Sequence, residues 1–268
     1  MKLVFNIGNT NITAGIFSGD NLGFKIRLRT NINYTEDQYF SVLYTLLQRE
    51  GVDISDIDTA VIGSVVPAIT RVITHMTKKY LKIEPFMIGP KTRLNFRNRY
   101  KNPGDVGDDR LANAAAAISI YGRRDMVVID IGTGTTFDVI SGKKGYLGGI
   151  IMPGLNLMLQ SLFTKTAKLP QVNLKFPASV IGNSTEGAIQ SGLLNGLAGS
   201  INYLLDGIRK EINVKKIKVI LTGGDSDLIP AEKIRAKDIM VDKDLTLKGF
   251  KYIYDLNAGR AKKTGGKI

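Results

Sequence analysis

Short apolar runs and amphipathic stretches alternate along the chain, and most of them are bounded by residues that favour turns. Residues 2–7 and 11–17 are two β-type runs, and residues 23–30 alternate apolar with basic side chains as a third strand. A helical pattern follows over residues 35–51, with Thr35 as its start signal. The first fifty residues therefore predict a three-stranded meander and then a helix.

The rest of the chain predicts strands alternating with helices. The expected strands are 59–67, 84–89, 126–132, 135–140, 145–152 and 217–224, and the expected helices lie around His75, over 109–122, from Pro153, from Ser184 to about Asn213 and over 246–260. This alternation is typical of a parallel α/β layer, joined here to the meander. Pro67 is expected to close the fourth strand, and Gly122 to end the Ala-rich helix. No Pro/Gly/Ser-rich linker separates independent domains.

One phrase occurs twice, as 4-VFNIGNTNITAGIF-17 and again as 128-VIDIGTGTTFDVI-140. Each copy has an apolar strand, an amide or acidic residue, a Gly-centred turn with Thr, and a returning strand. Such a turn forms a nest of backbone N–H groups with hydroxyls beside it, which suits a phosphate. No Walker A loop occurs, because Lys143 has no glycine at the required distance before it. A Rossmann glycine pattern does not fit either, because its third glycine is missing and β-formers follow the second turn where a helix would have to open. Two unrelated hairpin turns are the alternative interpretation.

Composition excludes several kinds of chemistry. The chain of 268 residues has no cysteine, which excludes disulfides, thiolate metal sites and a cysteine nucleophile. Its single histidine, His75, is expected on the surface of an amphipathic helix. No signal segment or membrane-length apolar run is expected, which predicts a cytoplasmic protein without membrane contact. The net charge of +13 is scattered apart from residues 208–218 and the tail 259–268, and it is interpreted as solvated surface, with nucleic-acid binding not expected.

The repeated hairpins resemble those of the actin, sugar-kinase and Hsp70 ATPase superfamily, and the chain as a whole resembles type III pantothenate kinases, the Bvg accessory factor family. The blocks that carry that resemblance follow the family's order: 7–17, 63-GSVVP-67, 100-YKNPGDVGDDRLANAAAA-117, 130–140, 148-GGIIMPGL-155 with 167-AKLP-170, 182-GNSTEGAIQSG-192 and 222-TGG-224. The resemblance implies an α/β fold of two duplicated ribonuclease H-like lobes around a nucleotide cleft, with residues 1–123 and 124–268 as the lobes. It also implies a kinase that uses ATP to phosphorylate pantothenate to 4′-phosphopantothenate, the first step of coenzyme A biosynthesis.

The same resemblance implies roles for individual residues. Asp109 matches the family's general base, and Arg110 is expected to pair with the pantothenate carboxylate. Asp130 matches a ligand of a monovalent cation, K⁺ or NH₄⁺, and Thr133 an ATP contact. Thr185 matches a residue that reaches the substrate from the partner subunit, which implies a homodimer. The expected substrate-binding residues are Tyr100, Gly107, Asp108, Asp109, Arg110 and Thr185, and the residues expected to hold ATP phosphates and Mg²⁺ are Asn6, Ile7, Gly8, Asn9, Thr10, Asn11, Ile12 and Thr13.

Two positions depart from the family pattern, which has aspartate at Asn6 and usually alanine at Asp108. Magnesium prefers anionic oxygens, so Asn6 is expected to weaken metal or ATP binding without disturbing the fold. Asp109 taken alone could also be an ordinary acidic residue at a helix start. Two alternative functions stay open: a weakened or inactive homologue that acts as a binding or regulatory factor, and a kinase for a different small hydroxyl compound.

Overall fold

The computed structural model describes residues 1–165 and 169–264, and for residues 259–264 it describes the backbone alone. Part of the block 167–170 and the basic tail 259–268, both noted in the sequence, therefore lie outside the fully described residues. The described chain forms two compact units. The first comprises Met1–Arg97, Lys101–Ile120 and the chain from Leu245 onward, and the second comprises Asn98–Tyr100 and Tyr121–Asp244.

A five-stranded sheet forms the centre of the first unit. Its elements are β1 (Lys2–Ile7), β2 (Asn11–Ser18), β3 (Asn21–Arg29), α1 (Glu36–Arg49), β4 (Thr59–Ser64), α2 (Pro67–Met76), β5 (Phe86–Met87), α3 (Asp108–Tyr121) and α6 (Leu245–Thr264). The strand order is β3-β2-β1-β4-β5. The meander strands pair antiparallel, whereas β4 pairs parallel with β1 and with β5.

The second unit repeats this arrangement. It contains β6 (Met126–Ile131), β7 (Gly134–Ser141), β8 (Gly145–Pro153), α4 (Leu155–Lys165), α5 (Thr185–Glu211), β9 (Lys218–Thr222) and β10 (Asp238–Val241). Its strand order, β8-β7-β6-β9-β10, matches that of the first sheet: β6, β7 and β8 pair antiparallel, whereas β9 pairs parallel with β6 and with β10. The predicted duplicated α/β fold is confirmed. The division of the chain at residues 123 and 124 stays a prediction.

Strand β1 is apolar at almost every position because both of its faces are covered. Leu3, Phe5 and Ile7 pack in one cluster with buried side chains of α1 and α2, including Leu43 and Ile73. On the other face, a second cluster contains Val4 from β1, Val61 from β4, Ala112 and Ala115 from α3, and Phe250 from α6. The helix α3 therefore lies on the face of the sheet to which the even-numbered residues of β1 point.

A large hydrophobic cluster of the second unit covers one face of its sheet. Val127, Ile129 and Ile131 of β6 pack with Leu155 and Leu159 of α4 and with a row of leucines and isoleucines along α5. Helix α5 begins where Ser184 accepts a hydrogen bond from the Gly187 N–H at 3.1 Å, as an N-cap.

Most predicted elements are present, with two differences beyond small shifts of their boundaries. The strand predicted over 59–67 ends at Ser64, because Pro67 begins α2, where its fixed φ suits the first helical turn. The short strand β10 was not predicted, since its apolar run of three residues is too short to indicate a strand by itself and is held by pairing with β9. His75 is at the surface as predicted, with its side chain 63% exposed and its Nδ1 3.3 Å from Glu36 Oε1.

Candidate active site

The first glycine turn joins β1 to β2 in the first unit. Gly8 N–H donates a hydrogen bond to the Asn11 carbonyl at 3.0 Å and closes the turn. Thr30, just after β3, braces it from the side: its N–H donates to the Thr10 carbonyl at 2.9 Å and its hydroxyl to the Gly8 carbonyl at 2.6 Å. Asn9 and Thr10 at the tip are exposed. The turn is thus a rigid, solvent-facing loop at the end of a buried strand.

The remaining residues of this predicted loop divide into two kinds. Ile7 and Ile12 are fully buried in the core, so any contact they make with a ligand would come from their backbone. Asn6 is half-buried and pairs across the strands with Thr13 and with Gly63.

The second glycine turn joins β6 to β7 in the second unit. Ile131 pairs with Thr135 here, whereas Ile7 pairs with Ile12 in the first hairpin, so the second turn is one residue shorter. Gly132 N–H donates to the Gly134 carbonyl at 3.1 Å, and Thr133 at the tip is exposed. Sequence reasoning placed Thr133 here correctly, since the local pattern decides a hairpin.

Two further glycines hold the second turn in place. Gly154 N–H donates to the Thr133 carbonyl at 3.0 Å, and a Cβ on Gly154 would lie only 2.0 Å from the Gly132 carbonyl oxygen. Gly223 has φ +95°, and a Cβ there would lie 2.4 Å from Asp130 Oδ1. Gly154 and Gly223 lie in the blocks 148–155 and 222–224 of the sequence. Their support of the second turn depends on tertiary contacts, which no local sequence pattern reveals.

Asp130, the predicted cation ligand, lies at the end of β6 against this Gly223 backbone. Its neighbour across the parallel pair is Thr222, whose hydroxyl is buried and has no hydrogen-bond partner among the described residues. Beside it, the Asp225 N–H donates to the Ile131 carbonyl at 2.9 Å, and Asn156 donates to the Asp225 carboxylate at 2.9 Å. Polar oxygens thus gather at the carboxyl end of β6 and β9.

The start of α3 in the first unit carries two adjacent carboxylates. Arg110 N–H donates to Asp109 Oδ1 at 2.8 Å, and a Cβ on Gly107 would lie 2.6 Å from the same oxygen. Glycine at position 107 therefore leaves the space into which the Asp109 carboxylate folds. Burial raises the pKa of Asp109 above its usual value, although the hydrogen bond from the Arg110 N–H and the Arg110 charge act in the opposite direction. A raised pKa is closer to the pKa that an effective general base has at neutral pH.

Asp108 is the second of these carboxylates. Burial and the neighbouring Asp109 charge together raise its pKa to about 6, against a hydrogen bond from the Ser64 backbone. Ser64 is the last residue of β4. The side chain of Asp108 is therefore anchored at the carboxyl end of that strand.

Tyr100 and Thr185 belong to the second unit. Tyr100 lies against Gly148, where a Cβ would be 3.5 Å from the tyrosine Cδ2 and where φ is +132°. Thr185 is the first residue of α5 and is exposed. The predicted roles of these residues stay predictions.

A groove of about 1080 Å³ opens at the other end of the second sheet, where β6, β9 and β10 begin. It is lined mostly by basic side chains over an apolar floor and contains none of the predicted site residues: Arg124, Asp125, Arg209, Lys215, Lys216, Ile217, Lys218, Glu232, Ile234, Arg235, Ala236, Lys237 and Asp238. Size alone therefore does not mark the candidate site residues, which lie at the first glycine turn and the start of α3 in the first unit and at the second glycine turn in the second unit.

The sequence comparisons agree with this geometry. A family model described as type III pantothenate kinase matches residues 2–207. The chain belongs to the type III pantothenate kinase family. A relative named type III pantothenate kinase, from Finegoldia magna, is 43% identical over 258 residues, which cover 95% of this chain and 97% of the relative.

Solved structures share the fold at low sequence identity. A Baf family protein from Campylobacter jejuni is 22% identical, with a TM-score of 0.60 over 96% of this chain and 99% of its own. The activator of a 2-hydroxyisocaproyl-CoA dehydratase from Clostridium difficile, solved with bound ADPNP, is 14% identical, with a TM-score of 0.56 over 100% of this chain and 98% of its own. At these identities the likeness concerns the fold, which is that of the actin-like ATPases. Among the described residues, no helix is long and apolar enough to cross a membrane.

Proposed function

We propose that this protein is an ATP-dependent pantothenate kinase, which transfers the γ-phosphoryl group of ATP to the primary hydroxyl of pantothenate and yields 4′-phosphopantothenate and ADP. The observation that carries the proposal is the family match over residues 2–207, together with glycine turns at the ends of β1 and β6. Phosphoryl transfer asks little covalent chemistry of the protein and depends on alignment, charge neutralisation and a base near the nucleophile. A chain without cysteine, and with its one histidine on the surface, can meet those requirements.

In this mechanism Asp109 takes the proton from the pantothenate hydroxyl as the oxygen attacks the γ-phosphorus. The raised pKa of Asp109 supports this role, because the proton is then accepted by a group of suitable basicity. The hydrogen bond from the Arg110 N–H and the space left by Gly107 hold the carboxylate in one orientation. Arg110 would bind the carboxylate end of pantothenate with its planar guanidinium. The exposed turn residues would hold the phosphates through backbone N–H groups.

Mg²⁺ and a monovalent cation belong to the proposal. Mg²⁺ bound with ATP would neutralise charge on the transferring phosphoryl group. Among the described residues no group of three or more acidic or histidine side chains could hold a metal, which fits an ion held by one or two carboxylates, phosphate oxygens and water. The monovalent cation would be held at Asp130, where the unpartnered Thr222 hydroxyl provides a further oxygen.

The activity is tested with a coupled assay for ADP in the presence of pantothenate, Mg²⁺ and K⁺. Asp109→Asn removes the base, and kcat is expected to fall by about 10²- to 10⁴-fold, while the free energy of unfolding does not fall. Asp105→Asn is a matched control, because Asp105 is an exposed carboxylate in the same segment. Full turnover in the Asp109 variant would contradict the assignment of the base, and no turnover in the unmodified protein would contradict the kinase.

We also propose a homodimer in which Thr185 reaches the substrate of the partner subunit. The second unit has a set of exposed apolar side chains that a partner could cover, among them Tyr203 at 77% and Ile151 at 67% exposure. Tyr203 borders a shallow cavity of about 510 Å³ between β8 and α5, and the α5 residues Gly196 and Gly199 leave room for close approach. Exposed apolar surface of this kind marks interaction sites.

The dimer is tested by sedimentation equilibrium of the unmodified protein and of Tyr203→Lys. The substitution places a charge in the proposed interface, so the variant is expected to sediment as a monomer and to lose activity. Ile32→Lys serves as control, since Ile32 is 71% exposed on the first unit. A monomeric unmodified protein would refute this part of the proposal and leave the kinase activity to be judged by its own assay.

A further inference from the structure

The carboxyl ends of β1 and β4 form the edge of the first sheet at which the first glycine turn begins. The two strands are parallel neighbours, with Asn6 opposite Gly63 and Ile7 opposite Ser64. In the second unit, the residue that corresponds to Asn6 is a carboxylate, Asp130, and it stands at the same place before its turn. The first turn therefore has a neutral amide where its internal copy has a negative charge.

The start of α3 brings a carboxylate to this same edge. Val4 and Ala112 lie in one core cluster, so α3 packs on the face of the sheet that carries Val4. Asn6 is two residues beyond Val4 on that face, because side chains alternate along a strand. Asp108 is one helical turn before Ala112 on the same side of α3, and the Ser64 N–H donates a hydrogen bond to its carboxylate.

This carboxylate has no cation among the described residues. Asp108 is half-buried and forms no ion pair, and the group next to it is a second carboxylate, Asp109. A partly desolvated negative charge beside another is costly unless a positive charge compensates it. The arrangement is thus incomplete electrostatically in the protein alone and would be completed by a cation that arrives with the ligand.

We propose that Asp108 supplies, to the metal ion that accompanies ATP, the carboxylate charge that is missing at Asn6. This inference rests on the proposed kinase function and assigns Asp108 to the metal end of the site, whereas the family resemblance lists it with the substrate-binding residues. The donor set suits Mg²⁺, which is commonly bound in kinases through one or two carboxylates with phosphate oxygens and water. The amide oxygen of Asn6 would be a neutral companion ligand, directly or through water.

The test measures ATP binding by calorimetry, with Mg²⁺ and with EDTA, so that the readout is the ratio of the two affinities. Asp108→Ala is expected to weaken Mg·ATP binding by about tenfold or more, which corresponds to about 1.4 kcal/mol. Binding of metal-free ATP is expected to stay the same or to tighten, because a charge that repels phosphate has been removed. Asp105→Ala, in the same segment but exposed, is the control and should leave the ratio unchanged.

A second variant places the carboxylate at position 6 instead of position 108. Asn6→Asp introduced into the Asp108→Ala protein is expected to restore the ratio to within about threefold of the unmodified protein. An unchanged ratio in Asp108→Ala would overturn the inference, and so would an equal loss of both affinities, which indicates a structural role. If Asp108→Ala does not fold, Asp108→Asn, which keeps the shape of the side chain, gives the same comparison. Failure of the proposed function is distinct: the unmodified protein would bind no ATP or would not phosphorylate pantothenate.

Discussion

Replacement of Gly154 by alanine tests whether the second glycine turn holds ATP. Gly154 follows β8 and lies across the turn at residues 132–133, to which it is joined by the 3.0 Å hydrogen bond from its N–H to the Thr133 carbonyl. An added Cβ would lie 2.0 Å from the Gly132 oxygen and 2.4 Å from the Thr133 oxygen. These neighbours are backbone atoms of a tight hairpin and cannot rotate away. The added methyl group must therefore displace the turn itself.

The magnitude follows from those distances. Carbon and oxygen need about 3.2 to 3.4 Å, so the turn or the Gly154 backbone must move by more than about 1 Å, and overpacking of this kind costs about 1 to 3 kcal/mol. Loss of the hydrogen bond adds about 0.5 to 1.5 kcal/mol. A shift of about 1 Å in a positioning group can lower the rate by about 10²-fold. We therefore expect the free energy of unfolding of Gly154→Ala to be about 2 to 4 kcal/mol lower than that of the unmodified protein. The variant should also lose most of its activity with ATP.

The assays are urea unfolding and the coupled kinase assay with the ATP concentration varied. Gly192→Ala is the control, since a Cβ at Gly192 in α5 would meet nothing within 4 Å, and alanine there should stabilise the protein by about 0.5 to 1 kcal/mol. The reasoning predicts a raised KM for ATP or a lowered kcat in Gly154→Ala at a temperature where the variant is fully folded. Wild-type stability together with wild-type ATP kinetics would refute it.

Three further predictions concern the carboxylates. Gly107→Ala forces the Asp109 carboxylate to turn, because the added Cβ would lie 2.6 Å from its Oδ1; kcat should fall by about tenfold or more with little loss of stability in urea, whereas Gly104→Ala should keep full activity. Asp108→Asn should raise the free energy of unfolding of the metal-free protein at pH 7.5 by about 1 to 2 kcal/mol. This is about half of the free energy that corresponds to the whole pKa shift of Asp108, because the group is partly exposed to solvent. The pKa of Asp108 is raised from 3.8 to about 6, so the advantage should vanish in urea unfolding below pH 4, where the carboxyl is protonated in the folded and unfolded protein alike. Asp130→Asn should raise the K⁺ concentration for half-maximal activity by about tenfold, and an unchanged K⁺ titration would contradict the proposed cation site.

Local patterns were sufficient for much of the fold. The two hairpins follow from strand runs on either side of glycine turns, and α1 is marked by a capping box in which Thr35 and Gln38 bind each other's backbone. Gly51 and Gly122, at φ +69° and +77°, stand where helices were predicted to stop. Strand β10 was missed because its stability depends on pairing with β9, which is a tertiary contact.

The candidate site was predictable only in part, for the same reason. The positions of Asn6, Asp130 and Thr133 follow from the hairpin pattern. The supports of the turns do not, since Gly154 and Gly223 are distant in sequence from the atoms that they approach. The meeting of Asp108 with Ser64 likewise depends on the packing of α3 against the sheet.

That packing also explains how a carboxylate at the start of α3 can stand near the end of β1, at a cost to folding that a cation would offset. At position 6 a charge would stand at the end of a strand whose preceding residues are buried. At position 108 it stands in the first turn of α3, where the helix dipole favours a negative charge and the Ser64 N–H donates to it. Both positions lie on one face of the first sheet, so the charge stays near the first glycine turn. The fold therefore constrains the location of the charge more strongly than it constrains which residue carries it.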